Sequence, residues 1–220
     1  MELRLDPTLL VRLGTVETSQ KIDEQILTGV AADSRKVLPG QAFVAVRGDR
    51  VDGHDYLFEA VARGAACLIA ETIPEGLTHP FVRVTDSRAA LALLAAALHG
   101  YPTGNFTLFG VTGTDGKTST AMLIEAAMRA AGLVTGLIGT VAYRVAGESV
   151  PASMTTPDPL VLNALFARMR DRGVQGVAME VSSHALDQRR IEGCHFDVAL
   201  FTNLTRDHLD LHGTLENYES

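Results

Sequence analysis

The chain has 220 residues, 46% of them hydrophobic, and a formal net charge of −7. That length holds one large domain or two small ones with real cores, and the acidic balance argues against a general nucleic-acid binder, whose phosphate contacts need a basic face. The start, Met1 to Pro7, lacks a basic stretch followed by an apolar one, and no apolar run is long enough to span a bilayer, so a soluble cytoplasmic protein without membrane contact is expected.

In chain order, residues 41–46, 67–70 and 81–84 read as strands, and 54–63 as a helix stopped by Gly64. The next helix is capped by Asp86 or Ser87, filled with Ala and Leu and ended by Gly100, and Pro102 prevents its restart. A joint at Gly100-Tyr101-Pro102-Thr103-Gly104 gives expected domains 1–101 and 102–220. Within the first, Asp33-Ser34-Arg35 and the loop from Gly48 to His54 are polar and glycine-punctuated. They suit a ligand site, but their spacing does not identify the ligand. Cys67 and Cys194 stand far apart without metal-ligand spacing and read as reduced, buried small hydrophobes.

After the joint, an apolar strand at 106–109 runs into Gly110-Val111-Thr112-Gly113-Thr114-Asp115-Gly116-Lys117-Thr118 and then a helix over 119–131. Strand, glycine-rich turn, Lys-Thr and helix make a phosphate cradle: backbone N–H groups close on phosphate oxygens, and the helix start adds partial positive charge. Lys117 would reach the β/γ-phosphates and the Thr118 hydroxyl would sit on Mg²⁺. Val111 occupies the first glycine slot of G-x-x-x-x-G-K-[ST], which points away from the common P-loop families. Asp158-Pro159 opens a further helix closed by Gly173. The runs 176–181 and 196–201 are mostly apolar, as in parallel strands buried on both faces. Ligands bind at the carboxyl ends of such strands, so Ser182-Ser183-His184 and Thr202-Asn203 should lie beside the phosphate loop.

Glu180, at a strand end, either holds Mg²⁺ beside a triphosphate or serves as a hydrogen-bonded structural carboxylate. Ser182-Ser183-His184 lacks the G-x-S-x-G elbow of serine hydrolases, so these groups contact substrate or cap a helix. Arg190, two residues after Gln188, is either a fork for a carboxylate or phosphate or a solvated arginine. Thr155-Thr156, before a helix start, offers hydroxyls and amides to an anionic substrate. The stretch Arg206 to His212 reads as a hydrolytic metal site, or as one histidine serving Mg²⁺ among structural hydrogen-bonders.

Taken in order, these motifs resemble the Mur ligase family, and within it the type that adds a diamino acid to UDP-N-acetylmuramoyl-dipeptide. The resemblance covers nearly the whole chain. It implies an α/β fold: an N-terminal UDP-sugar-binding domain, then a P-loop ATPase domain with a mostly parallel three-layer sheet. It further implies that Ser34 and Asp49, Arg50 and Val51 hold the uridine nucleotide, and that Thr155, Thr156, Ser182, Gln188 and Arg190 hold the muramoyl-dipeptide end. ATP would lie on Thr112, Gly113, Thr114, Asp115, Gly116, Lys117 and Thr118. Mg²⁺ would sit on Thr118, Glu180 and His208, with Lys117, Glu180 and His208 as the catalytic set. A monomer is expected. Asp115 stands where the family usually has Asn, which adds negative charge near the phosphates. The family's carbamylated lysine, the rest of its central domain and its amino-acid-selecting domain would fall past Ser220. A folylpolyglutamate-synthase-like ligase, a non-catalytic binding module and a metal-dependent hydrolase are the other readings.

Overall fold

The computed structural model describes residues 2–19, 22–48 and 51–205. The chain divides into two compact units, Met1–Tyr101 and Pro102–Ser220.

The first unit runs β1 (Leu3–Arg4), α1 (Pro7–Arg12), β2 (Thr15–Thr18), β3 (Ile26–Leu27), β4 (Gly29–Ala31), β5 (Gln41–Val44), α2 (Leu57–Ala62), β6 (Cys67–Ala70), β7 (Phe81–Val84) and α3 (Ser87–Leu98). Strands β4 to β7 lie side by side in parallel, β2 joins β7 antiparallel, and β1 and β3 form a separate ribbon. Every residue of β6 is buried, as an apolar strand in mid-sheet requires. Phe43, Leu57, Ala60 and Leu68 pack together on one side of the sheet. Asp86 caps α3 by accepting from the N–H groups of Arg88 and Ala89.

The helix expected over 54–63 is shorter: Gly53–Tyr56 is a 3₁₀ turn, and α2 begins at Leu57. The Asp52 carboxylate takes the His54 N–H at 3.0 Å, and that local bond favours a tight turn over a regular helical start.

The second unit runs β8 (Thr107–Thr112), α4 (Lys117–Ala130), β9 (Thr135–Ile138), β10 (Tyr143–Val145), β11 (Glu148–Val150), α5 (Pro159–Asp171), β12 (Gly176–Glu180), α6 (Ser183–Asp187) and β13 (Val198–Phe201). Its sheet order is β11-β10-β9-β12-β8-β13. The last four of these strands are parallel, and β10 and β11 form an antiparallel hairpin at one edge. Ala146 (φ 48°) and Gly147 (φ 84°) make the left-handed two-residue turn such hairpins favour.

β12 supplies Val177 and Met179 to one core, with Leu162, Phe166 and Met169, and Ala178 to the other, with Val111, Ala121 and Met128. The alternation is that of a strand buried on both faces. β13 departs from that expectation. It is the outermost strand among the described residues, and Val198 and Phe201 are exposed at 39% and 64%. The apolar run there begins with Phe196, which lies outside the strand with its ring where a Cβ on Gly110 would be. On α4, the buried Glu125 carboxylate takes both Arg144 Nε, at 3.0 Å, and Arg144 Nη2, tying the helix to β10.

Candidate functional site

The loop joining β8 to α4 turns through Gly113 (φ 125°) and Gly116 (φ 83°), conformations that L side chains rarely adopt. A Cβ on Gly113 would also collide with Thr202 Oγ1, so the loop can press against the segment that follows β13. That segment clamps it. Thr114 N–H donates to Asn203 O at 2.9 Å and Asp115 N–H to Asn203 Oδ1 at 3.0 Å. Thr202 Oγ1 donates to Asp115 O at 2.7 Å, and Thr114 Oγ1 and Thr205 bond each other through side chain and backbone. Gly116 then caps α4 with no side-chain hydrogen bond, leaving the helix start open to a ligand's oxygens. The Lys117 ammonium folds over the loop and donates to Gly113 O at 2.6 Å and Thr114 O at 2.7 Å.

Beside the loop lies Glu180, at the end of β12 and 2% exposed. Its Oε2 accepts from Thr118 Oγ1 at 2.9 Å and from Thr140 Oγ1 at 3.2 Å, and its Oε1 from Thr140 N–H at 2.9 Å. Thr156, 1% exposed, donates through Oγ1 to Glu180 O and accepts the Ser182 N–H. Thr140 Oγ1 and Thr155 Oγ1 are 2.9 Å apart. Arg190 donates to Thr156 O at 2.8 Å, while Gln188 Oε1 takes its Nε and Nη2. Tyr143 OH donates to Met154 O at 2.6 Å and accepts the Met154 N–H. Residues 154–156 are thus an arm held along the strand ends, and with Lys117, Thr118, Glu180, Ser182, Ser183, His184 and Arg190 they line a cleft of about 600 Å³. Ser182 caps α6, whereas Ser183 Oγ is buried with no hydrogen-bond partner among the described residues.

The chemistry of the donors fits a nucleotide with a divalent cation. A threonine hydroxyl and a buried carboxylate are hard oxygen ligands, adjacent to a helix start and a lysine suited to phosphate. Among the described residues no group of three or more His, Cys, Asp or Glu is gathered for a metal, so a closed zinc-type site is not formed there.

The sequence matches the Mur ligase middle domain over residues 111–220 and the "Mur ligase family, catalytic domain" over residues 26–99. The chain belongs to the Mur ligase family. It is 53% identical over 194 residues to the UDP-N-acetylmuramoyl-L-alanyl-D-glutamate–2,6-diaminopimelate ligase of Geobacillus kaustophilus, covering 88% of this chain and 40% of that protein. A solved structure of a ligase with the same name superposes with a TM-score of 0.75 at 29% identity, over 92% of this chain and 41% of the other. The MurF ligase of Thermotoga maritima, solved in complex with ADP, superposes with a TM-score of 0.56 at 27% identity, over 86% and 40%. The chain therefore spans about 40% of the length of the relatives it matches.

Within this Mur ligase chain, Thr114, Asp115, Gly116, Lys117, Thr118, Thr155, Thr156, Glu180, Ser182 and Arg190 come together in one cleft. Three expected residues lie behind its wall: Thr112, whose carbonyl takes Thr202 N–H; Gly113, packed on Thr202; and Gln188, which orients Arg190. Ser34 and Val51 line a second cleft of about 430 Å³ in the first unit, walled also by Phe43 and Tyr56. Ser34 Oγ is buried and donates to Glu59 Oε2 at 3.1 Å. Asp49, Arg50, His208 and the rest of the 206–212 stretch lie outside the described residues.

Behind the second cleft, His54 accepts the Glu71 N–H at Nε2, which places its proton on Nδ1, 2.6 Å from Asp52 Oδ1. The His54 N–H, then the ring, then Arg47 hold the Asp52 carboxyl well below the usual range. Burial pushes the Cys67 thiol up, and the Cys194 thiol up to about 12. Thr202 and Asn203 lie against the phosphate loop, where the strand-end rule put them, whereas sequence reasoning missed Thr140 and Tyr143 as parts of the site. The signal available for Thr140 was the one that located Glu180, a polar residue just past an apolar strand.

Proposed function

We propose that this chain carries the uridine-nucleotide and ATP sites of an ATP-dependent ligase. The ligase joins a diamino acid to UDP-N-acetylmuramoyl-L-alanyl-D-glutamate in cell-wall peptidoglycan synthesis. The observation that carries the reading is the pairing of Thr118 Oγ1 with Glu180 Oε2 at 2.9 Å in a cleft that also presents Lys117, Thr155, Thr156 and Arg190. Phosphate-binding and carboxylate-binding groups face one space. The 2,6-diaminopimelate named for the relatives supports that diamino acid as the one added.

A carboxylate is a poor electrophile, and the reaction class that solves this converts it to an acyl phosphate, which an amine then attacks. Bringing a carboxylate within about 4 Å of a phosphate costs about 4 kcal/mol at an effective dielectric near 20. Lys117 offsets that repulsion and the charge that develops on transfer, and the start of α4 fixes the phosphates. Arg190, held flat by Gln188, and the hydroxyls of the 154–156 arm orient the substrate carboxylate. Mg²⁺ on Thr118 and Glu180 would supply further charge neutralisation, with His208 as the third ligand the family resemblance implies. In the first unit, Ser34 and Val51, with Asp49 and Arg50, would hold the uridine nucleotide, in a monomeric enzyme of the cytoplasm.

The test is ATP turnover by the protein that carries this sequence. ADP and phosphate should form only with both UDP-N-acetylmuramoyl-L-alanyl-D-glutamate and a diamino acid present, and Lys117→Ala should abolish turnover while the UDP-sugar still binds. Turnover indifferent to those substrates would sink the reading.

A further inference from the structure

Four oxygens form an unbroken line across the cleft: Thr118 Oγ1, Glu180 Oε2, Thr140 Oγ1 and Thr155 Oγ1, spaced 2.9, 3.2 and 2.9 Å. A threonine hydroxyl has one proton to give. Thr140 gives its proton to Glu180, so the bridge between Thr140 and Thr155 is made by the Thr155 proton. Thr155 then turns its O–H inward and shows the cleft only lone pairs, the wrong face for an anion. Both threonines line the cleft, so the direction of this line decides what a bound carboxylate meets.

Glu180 Oε2 is also the oxygen that a hard cation beside Thr118 would take. Once Oε2 is taken, the Thr140 proton has a single acceptor left on this line, Thr155 Oγ1. The Thr155 proton is then released toward the cleft. No backbone motion is needed, because the Thr140 N–H keeps its own bond to Oε1 at 2.9 Å. We propose that Thr140 is a positioning residue that reverses this hydroxyl line, turning Thr155 into a donor for the substrate carboxylate when the metal–nucleotide site is filled. The proposal rests on the assignment of ATP and UDP-muramoyl-dipeptide above. Because coupling between two sites is reciprocal, the dipeptide also tightens nucleotide binding by the same factor.

The experiment is calorimetric titration of the full chain with UDP-N-acetylmuramoyl-L-alanyl-D-glutamate, alone, with ADP plus EDTA, and with saturating ADP plus Mg²⁺. The reading is the ratio of affinities. ADP with Mg²⁺ should tighten the sugar peptide about ten-fold, the order of one hydrogen bond to a charged group, and ADP with EDTA should not. Thr140→Val, which removes the hydroxyl and keeps the shape and the N–H, should bring the ratio near one; Thr140→Ser should restore it. A wild-type ratio in Thr140→Val, tightening by ADP with EDTA, or a Thr140→Val chain that no longer binds ADP with Mg²⁺ would each overturn the relay and leave the ligase reading standing. Wild-type chain that binds neither ligand would overturn the ligase reading itself.

Discussion

Asn203 grips Asp115 from both sides: its Oδ1 accepts the Asp115 N–H at 3.0 Å and its Nδ2 donates to the Asp115 carbonyl at 3.1 Å. The amide side chain behaves as one more strand partner for the phosphate loop, reaching over from the end of β13. Asn203→Ala should loosen the loop without unfolding the sheet. ADP·Mg²⁺ affinity is expected to fall about ten-fold, as for loss of two hydrogen bonds that preorganise a site, with the circular dichroism spectrum unchanged. Unaltered affinity would mean that the loop holds its shape alone.

The neighbouring serines of α6 should respond in opposite ways. Ser182 caps the helix through the Ala185 N–H at 3.2 Å, so Ser182→Ala should cost about 1 kcal/mol of stability. Ser183 Oγ is buried without a partner among the described residues, so Ser183→Ala removes a desolvated hydroxyl and should leave stability unchanged or raise it. Chemical denaturation of both variants checks the pair.

Arg144→Met should be far more damaging than an exposed arginine change. It strands the Glu125 carboxylate, 3% exposed, against β9 and β10, and breaking such a buried pair costs about 3–5 kcal/mol. Glu125→Met combined with Arg144→Met should recover much of the loss. A double variant as unstable as the sum of the singles would show that packing, not the uncompensated charge, sets the cost.

Asp52 gives the first unit an acid limit. Its carboxyl titrates below the usual value because of the His54 N–H and ring. Its contribution is therefore fully present above the unfolded carboxylate value, about 4, and is lost as pH falls through the folded value. Asp52→Asn should lower the melting temperature at neutral pH and flatten its decline below about pH 4. Parallel melting curves for wild type and variant across that range would count against this role.

The parts of the site legible in the sequence are those with local causes. Gly113, Gly116, Lys117 and Thr118 announce the phosphate loop because a tight turn, a helix start and a cation are adjacent in sequence. Glu180 and Ser182 were placed by the rule that parallel strands present their carboxyl ends to ligands. The hairpin was not legible, since Ala146 adopts a left-handed φ where Asn or Gly would have signalled the turn. Nor was Tyr143, whose role exists only through Met154, while Thr140 carried a strand-end signal for its place but none for its bonds to Glu180 and Thr155. The apolar run at 196–201 promised a strand buried on both faces, because sequence reports hydrophobicity but not which strand lies outermost.

The chain has no tryptophan and four tyrosines. One of them, Tyr143, holds both backbone groups of Met154 with a single phenol. The share of the tyrosine emission that Tyr143→Phe removes is therefore a built-in optical gauge of where the 154–156 arm stands, readable without a label as ligands enter the cleft.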